Sequence, residues 1–213
     1  MPKTFDPVGT WIRYGLSDLY FGFRNQESSF YKYGVFFWIM AAEKHLKAIL
    51  ISANLKEIEK LPKLEEKLNA VNKLARKYSH NFEKMVKDVS DLLEKELGER
   101  LLPENYSDYN SELLVKSMYE GYMETRYPTV SSTALHYPFE SSERIYHDPL
   151  GSSFFTDFIF LICERCWKYL ATKQPNLKDI LIKFEEQYSE HDDFNTFKQL
   201  YLSRFNRNFE GDT

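Results

Sequence analysis

The order of apolar and polar positions along the chain is typical of helices. Between residues 79 and 98, apolar side chains recur with the 3.6-residue period of a single helix face. Patterns that alternate apolar and polar residues, as strands do, never extend beyond a few positions, and no internal repeat is present. Helices are therefore predicted over residues 11–23, 30–53, 62–76, 79–98, 111–126, 152–171, 177–188 and 194–205.

These helices predict an all-α protein. Residues 1–172 are expected to form an antiparallel up-down helical bundle, and residues 173–213 a helical C-terminal extension that packs on or near this bundle. The predicted helix over residues 30–53 is apolar on nearly every side, and such a helix is usually surrounded by protein. We therefore expect it at the centre of the bundle.

Composition and charge narrow the class of protein further. The chain has 213 residues, 43% of them hydrophobic, so it can bury a core. No apolar stretch is long enough to span a membrane and the N-terminus shows no signal peptide, so a cytoplasmic protein is expected. The net charge of −4 argues against a non-specific coat for nucleic acids, because such proteins carry a basic surplus. A small local nucleic-acid site stays compatible with this charge.

The common sequence signatures of catalysis and metal binding are missing. Cys163 and Cys166, the two cysteines of the chain, lie in a predicted apolar helix, and no second Cys or His pair stands at a suitable spacing. We therefore predict inert core thiols. The chain has no glycine-rich phosphate loop, no G-x-S-x-G elbow and no H-E-x-x-H motif. Neither a metal nor a cofactor is predicted.

Two charged residues interrupt the apolar central helix. Glu43 and Lys47 are one helical turn apart and share a face with Phe36 and Met40. One interpretation is an ordinary helix-surface ion pair worth about 0.3–0.5 kcal/mol. The other is a partly buried pair that needs further polar partners. The sequence leaves both interpretations open.

Two more polar residues are candidates for a binding site. His80 is expected in the first turn of a helix opened by Ser79, where the helix dipole favours a neutral imidazole that accepts one hydrogen bond and donates another. Arg126 is expected to end its helix on the face of Tyr122 and to need a carboxylate, such as that of Glu43, or a phosphate. The structural alternatives are a histidine that satisfies local backbone and an arginine that pins helix ends together.

Three short blocks carry a family resemblance. Residues 41–50 read AAEKHLKAIL, residues 78–85 read YSHNFEKM, and residues 126–128 read RYP, followed after a loop by an apolar helix. Taken in order, they resemble the HEPN family (higher eukaryotes and prokaryotes nucleotide-binding domain), over about residues 11–172. The resemblance implies an antiparallel helical bundle that often forms homodimers.

The resemblance also implies a function around nucleotides or RNA, frequently in toxin–antitoxin or phage-defence systems. An antitoxin or a nucleotidyltransferase would then be the partner protein. Carried over block by block, Lys47, His80 and Arg126 are the implied residues for nucleotide or RNA phosphate, with Glu43 as their structural partner. Many members of this family are metal-independent ribonucleases that use an arginine followed, after four to six residues, by a histidine.

That ribonuclease spacing is absent from this chain. The corresponding positions after Arg126 hold Ser131, Ser132 and Thr133, and no other arginine has a histidine at the required distance. The leading hypothesis is therefore a HEPN-like binding module, acting as a homodimer, for nucleotide or RNA phosphate.

Two alternatives belong to other classes. The first is a degenerate ribonuclease toxin in which the loop over residues 127–150 returns His136 or His147 to Arg126. The second is a structural bundle that binds another protein, in which Lys47, His80 and Arg126 only stabilise the packing of the core.

Overall fold

The computed structural model describes residues 5–26, 31–126, 129–130, 135–136 and 153–206. Helices make up 80% of these residues, so the all-α prediction is confirmed. The longer helices are α1 (Pro7–Gln26), α2 (Tyr31–Glu59), α3 (Leu64–Tyr78), α4 (Phe82–Leu97), α5 (Ser111–Arg126), α6 (Ser153–Ala171) and α7 (Leu177–Tyr188). A last helical stretch consists of α8 (Phe194–Phe197), a π-helical segment (Lys198–Leu202) and α9 (Ser203–Asn206).

Two small hairpins lie between the helices, and the sequence analysis did not predict them. Strand β1 (Asn105–Tyr106) pairs antiparallel with β2 (Tyr109–Asn110), and β3 (Thr129–Val130) pairs antiparallel with β4 (Leu135–His136). Each strand has two residues. Such a length is too short to produce an alternating pattern that a sequence could reveal.

Helix α2 is the centre of the bundle, as its apolar sequence predicted. It packs against α1, α3, α4, α5 and α6. The most extensive contact is with α1, and Gly22 makes it possible, because a Cβ at this position would lie 1.4 Å from Cδ1 of Trp38 on α2. The indole of Trp38 therefore occupies the space that any other residue at position 22 would fill.

The turn between α3 and α4 differs from the sequence prediction. Helix α3 continues to the buried Tyr78, and Ser79 ends it with φ = 47°. The cap of α4 is Asn81, whose side chain accepts a hydrogen bond of 2.9 Å from the backbone N–H of Lys84. The prediction that Ser79 opens the helix was therefore wrong, and His80 lies in the turn between the two helices rather than in a first helical turn.

The C-terminal segment packs against α1 and α6. Its contact with α1 is largely aromatic and centres on the ring of Tyr20. The centroid of this ring lies 4.9, 5.4 and 5.2 Å from the ring centroids of Tyr188, Phe194 and Phe197. The Tyr20 hydroxyl donates a hydrogen bond of 2.5 Å to Asp193. Buried side chains of α7 to α9 thus belong to the same hydrophobic core as those of α1 and α2.

Candidate functional site

The carboxylate of Glu43 is the centre of a buried polar cluster. Helix α2 places Lys47 one turn further along, and Lys47 Nζ lies 2.5 Å from Glu43 Oε1. The two side chains are only 3% and 7% exposed. Of the two interpretations that the sequence left open, the structure has the buried pair.

The second oxygen of the same carboxylate binds the α3–α4 turn. His80 Nδ1 lies 2.8 Å from Glu43 Oε2, and the hydroxyl of Tyr122 on α5 lies 2.8 Å from His80 Nε2. The rings of His80 and Tyr122 are stacked, with centroids 4.1 Å apart. Because a carboxylate only accepts hydrogen bonds, Nδ1 of His80 must be the donor to an ionised Glu43. When His80 is neutral, its Nε2 therefore accepts the bond from Tyr122.

His80 is the most exposed member of this cluster. Its side chain is 34% exposed, whereas those of Glu43 and Lys47 are almost wholly buried, and Tyr122 is 1% exposed. A ligand in solution can therefore reach the imidazole but not the ion pair behind it. Lys47 holds Glu43 in place at the edge of the site, and His80 is the member of the cluster that solvent can reach.

Exposed cations flank His80 along the chain, at the end of α3 and the start of α4. Arg76, Lys77 and Lys84 are exposed, and none of them lies within 4.0 Å of a carboxylate in the described part of the chain. Lys77 Nζ and Lys84 Nζ lie 5.4 and 5.7 Å from the ring centre of Tyr78. These ammonium groups therefore converge on the ring of Tyr78, two residues before His80.

The ring of Tyr78 is itself firmly held. Its hydroxyl donates a hydrogen bond of 2.8 Å to Asp88 on α4, and burial, with this bond, raises the pKa of Tyr78 to about 12. Lys and Arg alternate with Asp and Glu along residues 54–100, a pattern typical of solvated helix surfaces, so the sequence analysis did not single out these cations. The signal that could have identified them is local: residues 73–88 contain five Lys or Arg and two Asp or Glu.

Arg126 is the last residue of α5, and its side chain lies outside the described part of the structure. Tyr122, which contacts His80, precedes it by one helical turn, so the two residues share a face of α5. The structure thus brings Glu43, Lys47 and His80 into contact and places the backbone of Arg126 one turn from their contact with α5. Sequence reasoning noted Tyr122 on the Arg126 face but missed its bond to His80.

The remaining sequence candidates lie elsewhere or outside the description. Cys163 and Cys166 are fully buried in α6, and burial raises the pKa of both thiols well above the ordinary value, so the prediction of core cysteines is confirmed. His136 lies in β4, where its backbone pairs with Thr129. His147 lies outside the described residues.

The described residues contain no group of three or more His, Cys, Asp or Glu side chains that could hold a metal ion. Among the same residues, no helix combines the length and the continuous hydropathy needed to cross a lipid bilayer.

Comparison of the chain with protein-family models, with curated proteins and with solved structures gives no significant match. What is established is the class of fold, an all-α helical bundle with a buried polar cluster on its central helix. The HEPN resemblance rests on the three sequence blocks alone.

Proposed function

We propose that the protein is a HEPN-like binding module for the phosphate groups of a nucleotide or of RNA. The binding site is the α3–α4 turn, where His80 is the centre and Arg76, Lys77 and Lys84 supply positive charge, and Arg126 is assigned to it because the family resemblance implies this role. One observation carries the proposal: a partly exposed imidazole, fixed from behind by Glu43 and Tyr122, lies in a turn whose flanking helices carry the exposed cations Arg76, Lys77 and Lys84 within four residues of it.

The chemistry of the turn suits an anion. Guanidinium and ammonium groups attract phosphate oxygens, and their hydrogen bonds to such oxygens are charge-assisted. Both ring nitrogens of His80 are bonded, Nδ1 to Glu43 and Nε2 to Tyr122, so the imidazole keeps a fixed orientation and leaves the hydrogen bonds to a phosphate to the guanidinium and ammonium groups. Glu43 and Lys47 act as positioning residues in this arrangement, because both are too buried to touch the ligand.

Calorimetric titration tests the proposal. ATP and a short single-stranded RNA are titrated into the wild-type protein, into Arg126→Ala, into His80→Asn and into the double variant Lys77→Ala/Lys84→Ala. We expect the double variant to bind about tenfold more weakly or worse, and the affinity of the wild type to fall as salt is raised. Lys183→Ala, an exposed lysine of α7, is the matched charge control.

The outcomes separate the candidates. Equal affinity of the wild type and the three site variants would reject this site. Binding of ATP but not of RNA, or the reverse, identifies the source of the phosphate. Arg126→Ala with lower thermal stability and unchanged ligand affinity would favour the structural bundle that binds another protein.

A degenerate ribonuclease is the second candidate function. The observation in its favour is the β3–β4 hairpin, which pairs His136 with Thr129, three residues after Arg126. An imidazole close to Arg126 would transfer protons, and the guanidinium would stabilise negative charge on the phosphate. RNA is incubated with micromolar protein and a chelator. Cleavage abolished by His136→Ala or His147→Ala supports the enzyme, and intact RNA with the wild type rejects it.

A further inference from the structure

Helices α1 and α2 contact each other through a regular series of rings and ammonium groups. Lys47 Nζ lies 5.5 Å from the centre of the Trp11 ring, and Lys44 Nζ lies 5.7 Å from the centre of the Tyr14 ring. Trp11 and Tyr14 are three residues apart on α1, as are Lys44 and Lys47 on α2, so both pairs lie on one side of the helix pair. These four residues are called the aromatic seam below.

The rings of the aromatic seam reach solvent. Tyr14 is 62% exposed, the largest value for a bulky apolar or aromatic residue in the described part of the chain, and Trp11 is half-buried. The lysines are already neutralised, Lys44 by Asp18 and Lys47 by Glu43. The seam therefore offers aromatic surface to a ligand rather than spare charge.

The aromatic seam is directly linked to the candidate phosphate site. Glu43 binds Lys47 through Oε1 at 2.5 Å and His80 through Oε2 at 2.8 Å. The indole of Trp11 and the imidazole of His80 therefore contact the same buried ion pair, Trp11 through Lys47 and His80 through Glu43.

We infer that the aromatic seam stacks the base of a nucleobase-bearing phosphate whose phosphate group is bound at the α3–α4 turn. This inference rests on the proposed function and adds the class of ligand and the residues that select it. Every base has a π-face, so stacking on Trp11 or Tyr14 is independent of base identity and contributes about tenfold or more to affinity. A ligand with the same phosphate and sugar but no base lacks this contribution.

The matched probes are AMP and ribose 5-phosphate, which share sugar and phosphate and differ by the base. Calorimetry is expected to show AMP binding about tenfold more tightly to the wild type. In Trp11→Leu and in Tyr14→Leu this ratio is expected to approach one, while the affinity for ribose 5-phosphate stays unchanged. Tyr109→Leu is the control, because this half-buried ring stacks on Phe154 in the β1–β2 region, away from the seam.

Fluorescence gives a second readout that requires no disruptive substitution. Trp38 is 3% exposed and Trp167 is fully buried, so Trp11 is the indole that a ligand can quench. AMP is expected to quench the wild type, and Trp11→Phe is expected to retain AMP binding by calorimetry but to lose the quenching.

The outcomes distinguish this inference from the function on which it rests. Equal binding of AMP and ribose 5-phosphate to the wild type, or an AMP preference that survives both leucine substitutions, would overturn the stacking role and leave phosphate binding intact. Absence of binding by both probes would overturn the proposed function and the stacking role together.

Discussion

Helix α2 buries ionisable side chains on two opposite faces, and the two faces differ in the hydrogen-bond partners that they give these side chains. Glu43 and His45 are two residues apart, which turns them about 200° from each other around the helix. Glu43 is bonded by Lys47 and His80. His45 is fully buried, donates from Nδ1 to the carbonyl oxygen of Ala41 at 2.8 Å, and its Nε2 has no partner among the described residues.

The difference shows which buried polar group is part of a site. A charge taken out of water needs partners, and the Glu43 face has them from three separate elements, α2, the α3–α4 turn and α5. The His45 face instead keeps its imidazole neutral, because burial lowers the pKa of His45 to about 4. A network that reaches solvent through His80 can bind a ligand, whereas a lone neutral histidine in the core fills space.

The largest expected effect comes from breaking the network at its centre. Glu43→Ala leaves Lys47 buried without its carboxylate, and breaking a buried ion pair in this way costs about 3–5 kcal/mol. Urea unfolding followed by circular dichroism measures the loss in the free energy of unfolding. The control is Glu43→Leu combined with Lys47→Met, which removes both charges and is expected to recover most of the stability. A loss below about 1 kcal/mol in Glu43→Ala would mean that the pair behaves like a surface pair.

Part of the fold could be predicted from the sequence. The bounds of α5 and α7 match the prediction, because local signals mark them: Asn110 caps the start of α5, Pro128 follows its end, and Pro175 precedes α7. The central place of α2 also follows from its apolar surface. The start of α4 does not follow, since Ser79 and Asn81 are both good caps, and the choice depends on the burial of Tyr78 and its bond to Asp88.

The candidate site was likewise only partly predictable. Glu43, Lys47 and His80 could be selected from their types and positions, and their contact confirms that the central helix and the α3–α4 turn meet. Which oxygen of Glu43 binds which partner could not be predicted, nor could the bond from Tyr122. Such contacts join residues about 40 positions apart and depend on how whole helices pack rather than on any local pattern.

The second largest expected effect is on stability, comes from His45 on the opposite face of α2, and depends on pH. In the folded protein the pKa of His45 is lowered from its ordinary 6.5 to about 4, so the unfolded chain binds more protons between these values. Stability is therefore present above pH 6.5 and is lost as the pH falls towards 4. Between pH 7 and pH 5 we expect a loss of about 2 kcal/mol from this group, measured by urea unfolding at both values.

A substitution isolates this contribution from other groups. Asp18 acts in the opposite direction, because burial raises its pKa, and a raised carboxyl pKa favours the folded state as the pH falls. His45→Asn removes the titrating ring but can keep its hydrogen bond, as Asn25 and Asn54 already donate to the carbonyl four residues earlier. We expect a smaller pH dependence in His45→Asn than in the wild type. An identical dependence in both proteins would contradict a buried histidine that is neutral in the folded protein.

A smaller effect is expected at the outer end of the network. Tyr122→Phe removes the hydroxyl that bonds Nε2 of His80 but keeps the ring that stacks on it. Because His80 is 34% exposed, water can replace the lost bond, so the cost is about 1 kcal/mol in the free energy of unfolding. NMR of the imidazole nitrogens supplies the specific readout: the Nε2 signal is expected to shift while Nδ1 stays bonded to Glu43. Unchanged signals from both nitrogens would show that the bond does not form in solution.

The smallest expected effect comes from an exposed Glu–Lys pair at the end of α2, which can be compared with the buried pair inside the same helix. Glu57 and Lys60 form a second Glu–Lys pair next to the end of this helix, at 2.5 Å, but their side chains are 75% and 69% exposed. Water screens such a pair and both side chains lose entropy in forming it, so Lys60→Ala is expected to change the free energy of unfolding by less than about 0.5 kcal/mol. Lys47→Ala, measured in the same urea series, is expected to cost several times more, since it leaves Glu43 buried without its ammonium partner. Equal effects of the two substitutions would show that burial does not distinguish these pairs, and the polar cluster behind His80 would then be no better held than an ordinary surface contact.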